Sequence, residues 1–95
     1  MAVYPETTLH RLEQLDRVQA ELREMFATKN ASYGDSFAEY GPVGVIIRFG
    51  DKIKRAATIS HTGINFVEDE KLRDTLMDLA NYACMAVMLL DEKKG

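Results

Sequence analysis

The segment spanning residues 70–90 places the tightest limits on how this chain folds. Its first half carries Glu70, Asp74 and Asp78, which lie one above another on a helix because they are spaced four residues apart. Aspartate disfavours helix interiors, and like charges at this spacing repel. We therefore expect water, a basic partner or a divalent cation to compensate. The second half, residues 83–90, is apolar on every side and is expected to be buried on every side.

The length of the chain limits what it can bury. Its 95 residues predict one small domain, spanning residues 1–95, with little surplus stability. One short chain offers few neighbours for an all-apolar helix, so we expect homo-oligomerisation to complete the fold. The apolar run is far shorter than the roughly 18 residues that span a membrane, so no membrane association is expected.

Charge and cysteine content narrow the classes of function. The net charge of -3 argues against direct nucleic-acid binding, since such domains are usually basic. A small phosphorylated ligand needs only local positive charge and stays compatible with this composition. Cys84 lies inside the apolar run, so we expect a small core residue in a reducing compartment. The N-terminal residues lack a signal-peptide pattern, which favours a cytoplasmic location.

Hydrophobic periodicity predicts helices along most of the chain. Apolar residues recur at helical spacing over residues 6–29, with Pro5 at the helix start or Thr7 and Thr8 as alternative caps. Residues 31–36 are turn-like, and Gly34 suits a left-handed conformation. A short helical turn is expected over residues 36–40.

The second half of the chain is expected to add two helices. Val45, Ile46 and Ile47 favour a strand locally, but the surrounding basic and apolar positions repeat at helical spacing, so we predict a helix over residues 43–60. A last helix is predicted over residues 66–93, with Asn65 and Glu68 forming a capping box. The expected fold is all-α: a small bundle of three long helices plus a short one.

Acidic residues form the first candidate site. Glu70, Asp74 and Asp78 suit Mg²⁺, a hard cation that takes oxygen ligands, and Glu21 and Glu24 on the first helix are placed to complete the site across a bundle. The alternative is that the three acids belong to the solvent-exposed face of the last helix. The other polar residues of that face are Arg73, Thr75, Asn81 and Tyr82.

Basic residues form the second candidate site. Arg48, Lys52 and Arg55 fall on one helical face, and their side chains suit phosphate oxygens. The alternative is that these cations pair with the acidic helix, which would itself place the two helices side by side. Both interpretations hold together if metal and phosphate lie between the helices.

A third group surrounds the end of the first helix. Lys29, Asn30 and Tyr33 are placed to line a pocket for a base or a sugar. The alternative is ordinary helix termination before Gly34.

Three blocks of sequence carry a resemblance to a known family. They are KNASYGDSF at residues 29–37, GVIIRFGDKIKR at 44–55 and DEKLRDTLMDLANYA at 69–83. In order and spacing they resemble the family called nucleotide modification associated domain 1, small proteins of phages and bacteria. That family looks related to the MazG-like all-α nucleoside triphosphate pyrophosphatases. Those are helical oligomers that hold Mg²⁺ between an EXXE helix and a later acidic helix.

The resemblance implies roles for individual residues. The implied metal ligands are Glu21, Glu24, Glu70, Asp74 and Asp78, of which Glu24, Asp74 and Asp78 are also the implied catalytic residues. The implied nucleotide-binding residues are Lys29, Asn30, Tyr33, Arg48, Lys52, Arg55, Asn81 and Tyr82.

These residues favour a Mg²⁺-dependent pyrophosphohydrolase acting on a ribo- or deoxyribonucleotide, in a bacterial or phage-infected cell. One alternative is a non-catalytic nucleotide-binding protein, such as a phage sponge for a nucleotide signal. The other is a structural helical oligomer whose polar stripes are merely solvated.

Overall fold

The fold is built from helices alone in the part of the chain that the structure describes. The computed structural model describes the backbone of residues 3–61 and 66–94, and the side chains of residues 3–58 and 71–92. It contains helices α1 (Glu6–Tyr33), α2 (Gly41–His61) and α3 (Phe66–Lys94), with a short 3₁₀ turn at Ser36–Ala38. The prediction of an all-α chain with three long helices and a short one is confirmed. The expected Asn65–Glu68 capping box lies outside the described residues.

The chain divides into two compact units, one ending at Gly34 and the other beginning at Asp35. The first unit is built on α1, and the second holds the 3₁₀ turn, α2 and α3. The single domain expected from chain length remains a prediction. None of the described helices is long and apolar enough to cross a membrane.

Backbone chemistry sets both ends of α1. The helix begins after Pro5, whose carbonyl accepts a 3.0 Å hydrogen bond from the Leu9 N–H. It ends where Gly34 adopts a φ of 67°, a conformation that costs glycine little. The Gly34 N–H donates to the Asn30 carbonyl at 2.7 Å, and the Asn30 side-chain amide donates to the Gly34 carbonyl at 3.3 Å. These bonds carry the helix four residues beyond its predicted end at Lys29.

Helices α2 and α3 pack against each other along their length and run antiparallel. The direction follows from the Lys52–Asp78 contact described below. Lys52 lies about 14 Å before the end of α2, and Asp78 lies about 18 Å after the start of α3, at 1.5 Å per helical residue. In a parallel pair the two helix ends would be about 32 Å apart, whereas five peptide units reach at most about 18 Å.

The α2–α3 pair holds the small core of the described chain. Its buried apolar side chains are Pro42, Val45, Met77 and Leu89. Thr75 is also buried, and its hydroxyl donates a 2.8 Å hydrogen bond to the Lys71 carbonyl, which satisfies the buried oxygen. The alternative interpretation, in which Thr75 belongs to a solvent-exposed face of the last helix, is therefore wrong for this residue.

The apolar run near the end of α3 is only partly covered within one chain. Leu89 is buried, but Val87, Met88 and Leu90 are each at least 44% exposed. Cys84 is also exposed, so the expectation of a core cysteine is wrong for the single chain.

Candidate functional site

An ion pair joins the basic face of α2 to the acidic face of α3. The Lys52 ammonium lies 3.2 Å from a carboxylate oxygen of Asp78, with 28% of the lysine side chain and 22% of the aspartate side chain exposed. Both groups are therefore partly accessible to water. Of the three compensators expected for the α3 acids, the structure therefore provides a basic partner for Asp78.

Arg48 and Arg55 lie one turn on either side of Lys52, on the same face of α2. Both side chains are exposed, and neither makes a hydrogen bond or ion pair with a described residue. Because the helices are antiparallel, Arg48 lies at the level of Tyr82 and Arg55 at the level of Thr75. The three cations therefore form a row of about 10 Å alongside α3, at 1.5 Å per residue.

The acids on α3 differ in their surroundings. Asp74 lies one turn before Asp78, is exposed and has no ion-pair partner among the described residues. The side chain of Glu70 lies outside the described residues. Within the described side chains, no group of three His, Cys, Asp or Glu residues is close enough to hold a metal ion by itself. Among the described side chains, Asp74 and Asp78 are the two carboxylates that this face of α3 offers to a ligand.

Asn81 and Tyr82 follow Asp78 by about one turn of α3, and both are half-buried. Their position extends the polar face of α3 toward the level of Arg48. They are the α3 residues assigned to nucleotide binding, and their placement beside the row of cations is compatible with that assignment.

The remaining predicted residues belong to α1 in the other unit. Glu21 and Glu24 are exposed and lie on neighbouring turns of one helical face. Lys29 is exposed and Tyr33 is 75% exposed. Asn30 caps the C-terminus of α1, as the helix-termination alternative predicts. This hydrogen bond gives the polar side chain a structural role that does not require a ligand.

The family assignment follows from a comparison with sequence profiles. Residues 29–90 match the family described as nucleotide modification associated domain 1, which covers about two thirds of the chain. The chain belongs to this family. No curated protein and no solved structure matches it.

The matched range separates the two groups of candidate residues. It contains the row of cations on α2 and the acids on α3, together with Lys29, Asn30 and Tyr33. It begins five residues after Glu24, so the EXXE pair at Glu21 and Glu24 lies outside the family match. The family therefore supports the α2–α3 face more directly than it supports the acids of α1.

Proposed function

We propose that this protein binds the phosphate groups of a nucleoside triphosphate at the α2–α3 face and, with Mg²⁺, hydrolyses the nucleotide to a monophosphate and pyrophosphate. The observation that carries the proposal is the Lys52–Asp78 ion pair, which brings a cationic row and two carboxylates to one face. The family description relates the domain to nucleotides. The relation to MazG-like pyrophosphatases is part of this proposal.

Phosphate binding would use the row of cations. The Arg48 and Arg55 guanidinium groups present forked donors that match phosphate oxygens, and Lys52 contributes a point charge between them. Neither arginine has a partner among the described residues. Each can therefore bind a phosphate without first breaking a described ion pair. Asn81 and Tyr82 would then contact the nucleoside end of the ligand near Arg48.

The carboxylates fit Mg²⁺ by chemistry. Asp74 and Asp78 lie one turn apart, and Mg²⁺ commonly uses one or two carboxylates, with substrate phosphates and water as its other ligands. The Asp78 carboxylate is already paired with the Lys52 ammonium, so Asp74 would be the stronger protein ligand for Mg²⁺. When bound, the cation supplies positive charge that offsets the charge on the phosphates.

Hydrolysis would need only a positioned water and a proton acceptor. Asp74 is exposed on this face, so its carboxylate can orient a water molecule and accept its proton. The water oxygen bonds to the α-phosphorus as the bond from that phosphorus to the oxygen bridging the α- and β-phosphates breaks, and pyrophosphate leaves with the bridging oxygen. Lys52 and the two arginines hold the phosphate oxygens throughout. Whether Glu24 also contributes to this step is tested by substitution below.

A second candidate function is non-catalytic binding of a nucleotide. The Lys52–Asp78 pair favours it, because a carboxylate held by an ammonium is less available as a metal ligand. In that case the face binds the phosphates and releases the nucleotide unchanged. Analysis of the products after prolonged incubation distinguishes the two functions.

The role of the cations is testable with a matched pair of variants. Arg48→Ala should weaken binding of a nucleoside triphosphate by roughly tenfold or more, since a hydrogen bond to a charged group contributes about 1.5–3 kcal/mol. Lys54→Ala is the control, because Lys54 is exposed on the same helix but is rotated by about 200° from Lys52. Calorimetric titration measures both. Equal affinities for the two variants would refute this binding face.

The role of the carboxylates is tested by turnover. Asp74→Asn should abolish release of pyrophosphate in the presence of Mg²⁺ while leaving the helical content unchanged. Glu92→Gln is the control, an exposed α3 acid that lies about 27 Å further along the helix. Glu24→Gln, measured beside them, decides whether the α1 pair contributes. Full activity of Asp74→Asn would exclude the proposed proton acceptor.

We further propose that the protein acts in the cytoplasm of a bacterial or phage-infected cell and as a homo-oligomer. The exposed apolar side chains of α3 support assembly.

A further inference from the structure

Helix α3 carries a second apolar face whose large side chains are about half exposed. We call it the outer seam, and it consists of Leu76, Ala80, Ala83, Val87 and Leu90. These positions alternate in steps of four and three residues, the spacing at which two helices pack as a coiled coil. The seam continues for four turns without a polar residue.

The outer seam is available within one chain. Leu76, Val87 and Leu90 are 51%, 55% and 46% exposed, Ala83 is exposed and Ala80 is half-buried. Helix α2 contacts a different side of α3 through Asp78, and the buried Thr75 and Leu89 lie on that same side of the helix. A coiled-coil seam left in water over this length implies a helical partner.

The residue sizes along the seam suit an antiparallel copy of the same helix. If Ala80 packs against Ala83 of the partner subunit, then Leu76 packs against Val87 of the partner subunit, and the relation is reciprocal. Large side chains then meet at both ends, and alanines meet at the centre, where the two backbones come closest. The seam is therefore self-complementary about a two-fold axis between residues 81 and 82.

Charge on the flank of the seam favours the same arrangement. Arg73 and Asp91 are both exposed and lie on the same side of α3, 18 residues or five whole turns apart. The antiparallel pairing brings Arg73 within one residue, about 1.5 Å, of the level of Asp91 of the partner subunit at both ends, so opposite charges meet. A parallel pairing brings Arg73 level with Arg73 of the partner subunit, so like charges repel.

We propose that the outer seam of α3 packs antiparallel against the outer seam of a second copy of this chain, forming a two-fold symmetric dimer. The occupant follows from the heptad spacing, the central alanines and the reciprocal Arg73–Asp91 pairing. The proposal does not depend on nucleotide binding or hydrolysis.

Cysteine cross-linking tests the direction of the helices. In a Cys84→Ser background, Arg73→Cys and Asp91→Cys combined in one chain should give a covalent dimer on oxidation. The two positions are about 27 Å apart within a chain, so any bond joins two copies. Arg73→Cys alone should stay uncross-linked, since its two copies would be about 26 Å apart. Self-cross-linking by Arg73→Cys alone would show a parallel pair and overturn the proposal.

Substitution of neighbouring residues tests the surface itself. Val87→Glu places a charge in the seam and should raise the dimer dissociation constant by at least tenfold in sedimentation experiments. Met88→Glu is the control, since Met88 is exposed on the same helix but lies outside the seam. Equal effects of both variants, or a monomeric wild-type protein at micromolar concentration, would overturn the proposal.

Exchange of the flanking charges, Arg73→Asp with Asp91→Arg, should preserve the dimer that Arg73→Asp alone weakens.

Discussion

Asp78 shows how far the sequence alone predicts the interactions of a single residue. Its place in an otherwise apolar stretch indicates that its charge is compensated, but three compensators fit that pattern equally well. The structure provides Lys52 as its partner. The sequence cannot select this lysine from the three cations of the row on α2, because the selection depends on the register of two antiparallel helices.

The ion pair predicts the sign of one stability change. Asp78→Asn removes the charge that faces Lys52, so the metal-free protein should lose roughly 0.2–1 kcal/mol, the range typical of solvent-accessible ion pairs. For a domain of this size that corresponds to a fall in melting temperature of a few degrees. Lys52→Met and the double variant complete a thermodynamic cycle. A rise in melting temperature would instead indicate that repulsion among the α3 carboxylates dominates, as expected of an empty metal site.

Helix α2 shows what periodicity predicts and what it leaves open. Its helical nature follows from spacing, despite the strand-like composition of residues 45–47, and its observed bounds differ from the predicted ones by two residues or fewer. Periodicity does not predict which face of this helix packs inward. Val45 is buried, whereas the neighbouring Ile46 and Ile47 are 55% and 61% exposed. Three successive apolar residues point in directions that span about 200° of a helix, more than one packed face can bury, so only tertiary packing decides among them.

Two glycines of α2 predict opposite effects of the same substitution. A Cβ atom at Gly44 would lie 2.9 Å from the Cβ of Tyr40, which cannot move without the backbone, so Gly44→Ala should cost about 1–3 kcal/mol. A Cβ at Gly50 meets nothing within 4 Å, so Gly50→Ala should stabilise the helix by about 0.5–1 kcal/mol. Urea unfolding followed by circular dichroism measures both changes. Stabilisation by Gly44→Ala would contradict the close approach of Tyr40.

At the scale of the whole molecule, the core is too small for the apolar surface that surrounds it. Among the described side chains, four apolar ones are buried, including that of Pro42, and sixteen large ones are exposed. Small domains have little stability to spare, so burial between copies is expected to contribute a large share. The sequence predicts this need through the apolar run at residues 83–90. It does not indicate which side of α3 remains open, because that depends on where α2 packs.

Assembly predicts that stability depends on protein concentration. If folding and dimerisation are coupled, the melting temperature should rise steadily as the concentration is raised from the low micromolar range to the millimolar range. Val87→Glu should remove this dependence, and Met88→Glu should retain it. A wild-type melting temperature that stays constant over the whole range would contradict coupled assembly.

The two halves of the candidate site differ in how well the sequence predicts them. The α2 and α3 residues were recognisable from charges at helical spacing, and the Lys52–Asp78 contact places their helices side by side. The α1 residues belong to a separate unit, so spacing along the chain carries no information on their distance from α3. Asn30 illustrates the difference. Its side chain was predicted to bind a nucleotide, but a polar residue one turn before a glycine can equally cap the end of a helix, as Asn30 does with Gly34.

The central claim is that the cationic row of α2 binds the phosphates of a nucleotide. Calorimetric titration of a nucleoside triphosphate in the presence of Mg²⁺, into the wild type and into the Arg48→Ala and Lys54→Ala variants, tests it most directly. We predict similar affinity for the wild type and Lys54→Ala, and affinity at least roughly tenfold weaker for Arg48→Ala. Failure of the wild type to bind any nucleoside triphosphate, or unchanged binding by Arg48→Ala, would contradict the claim.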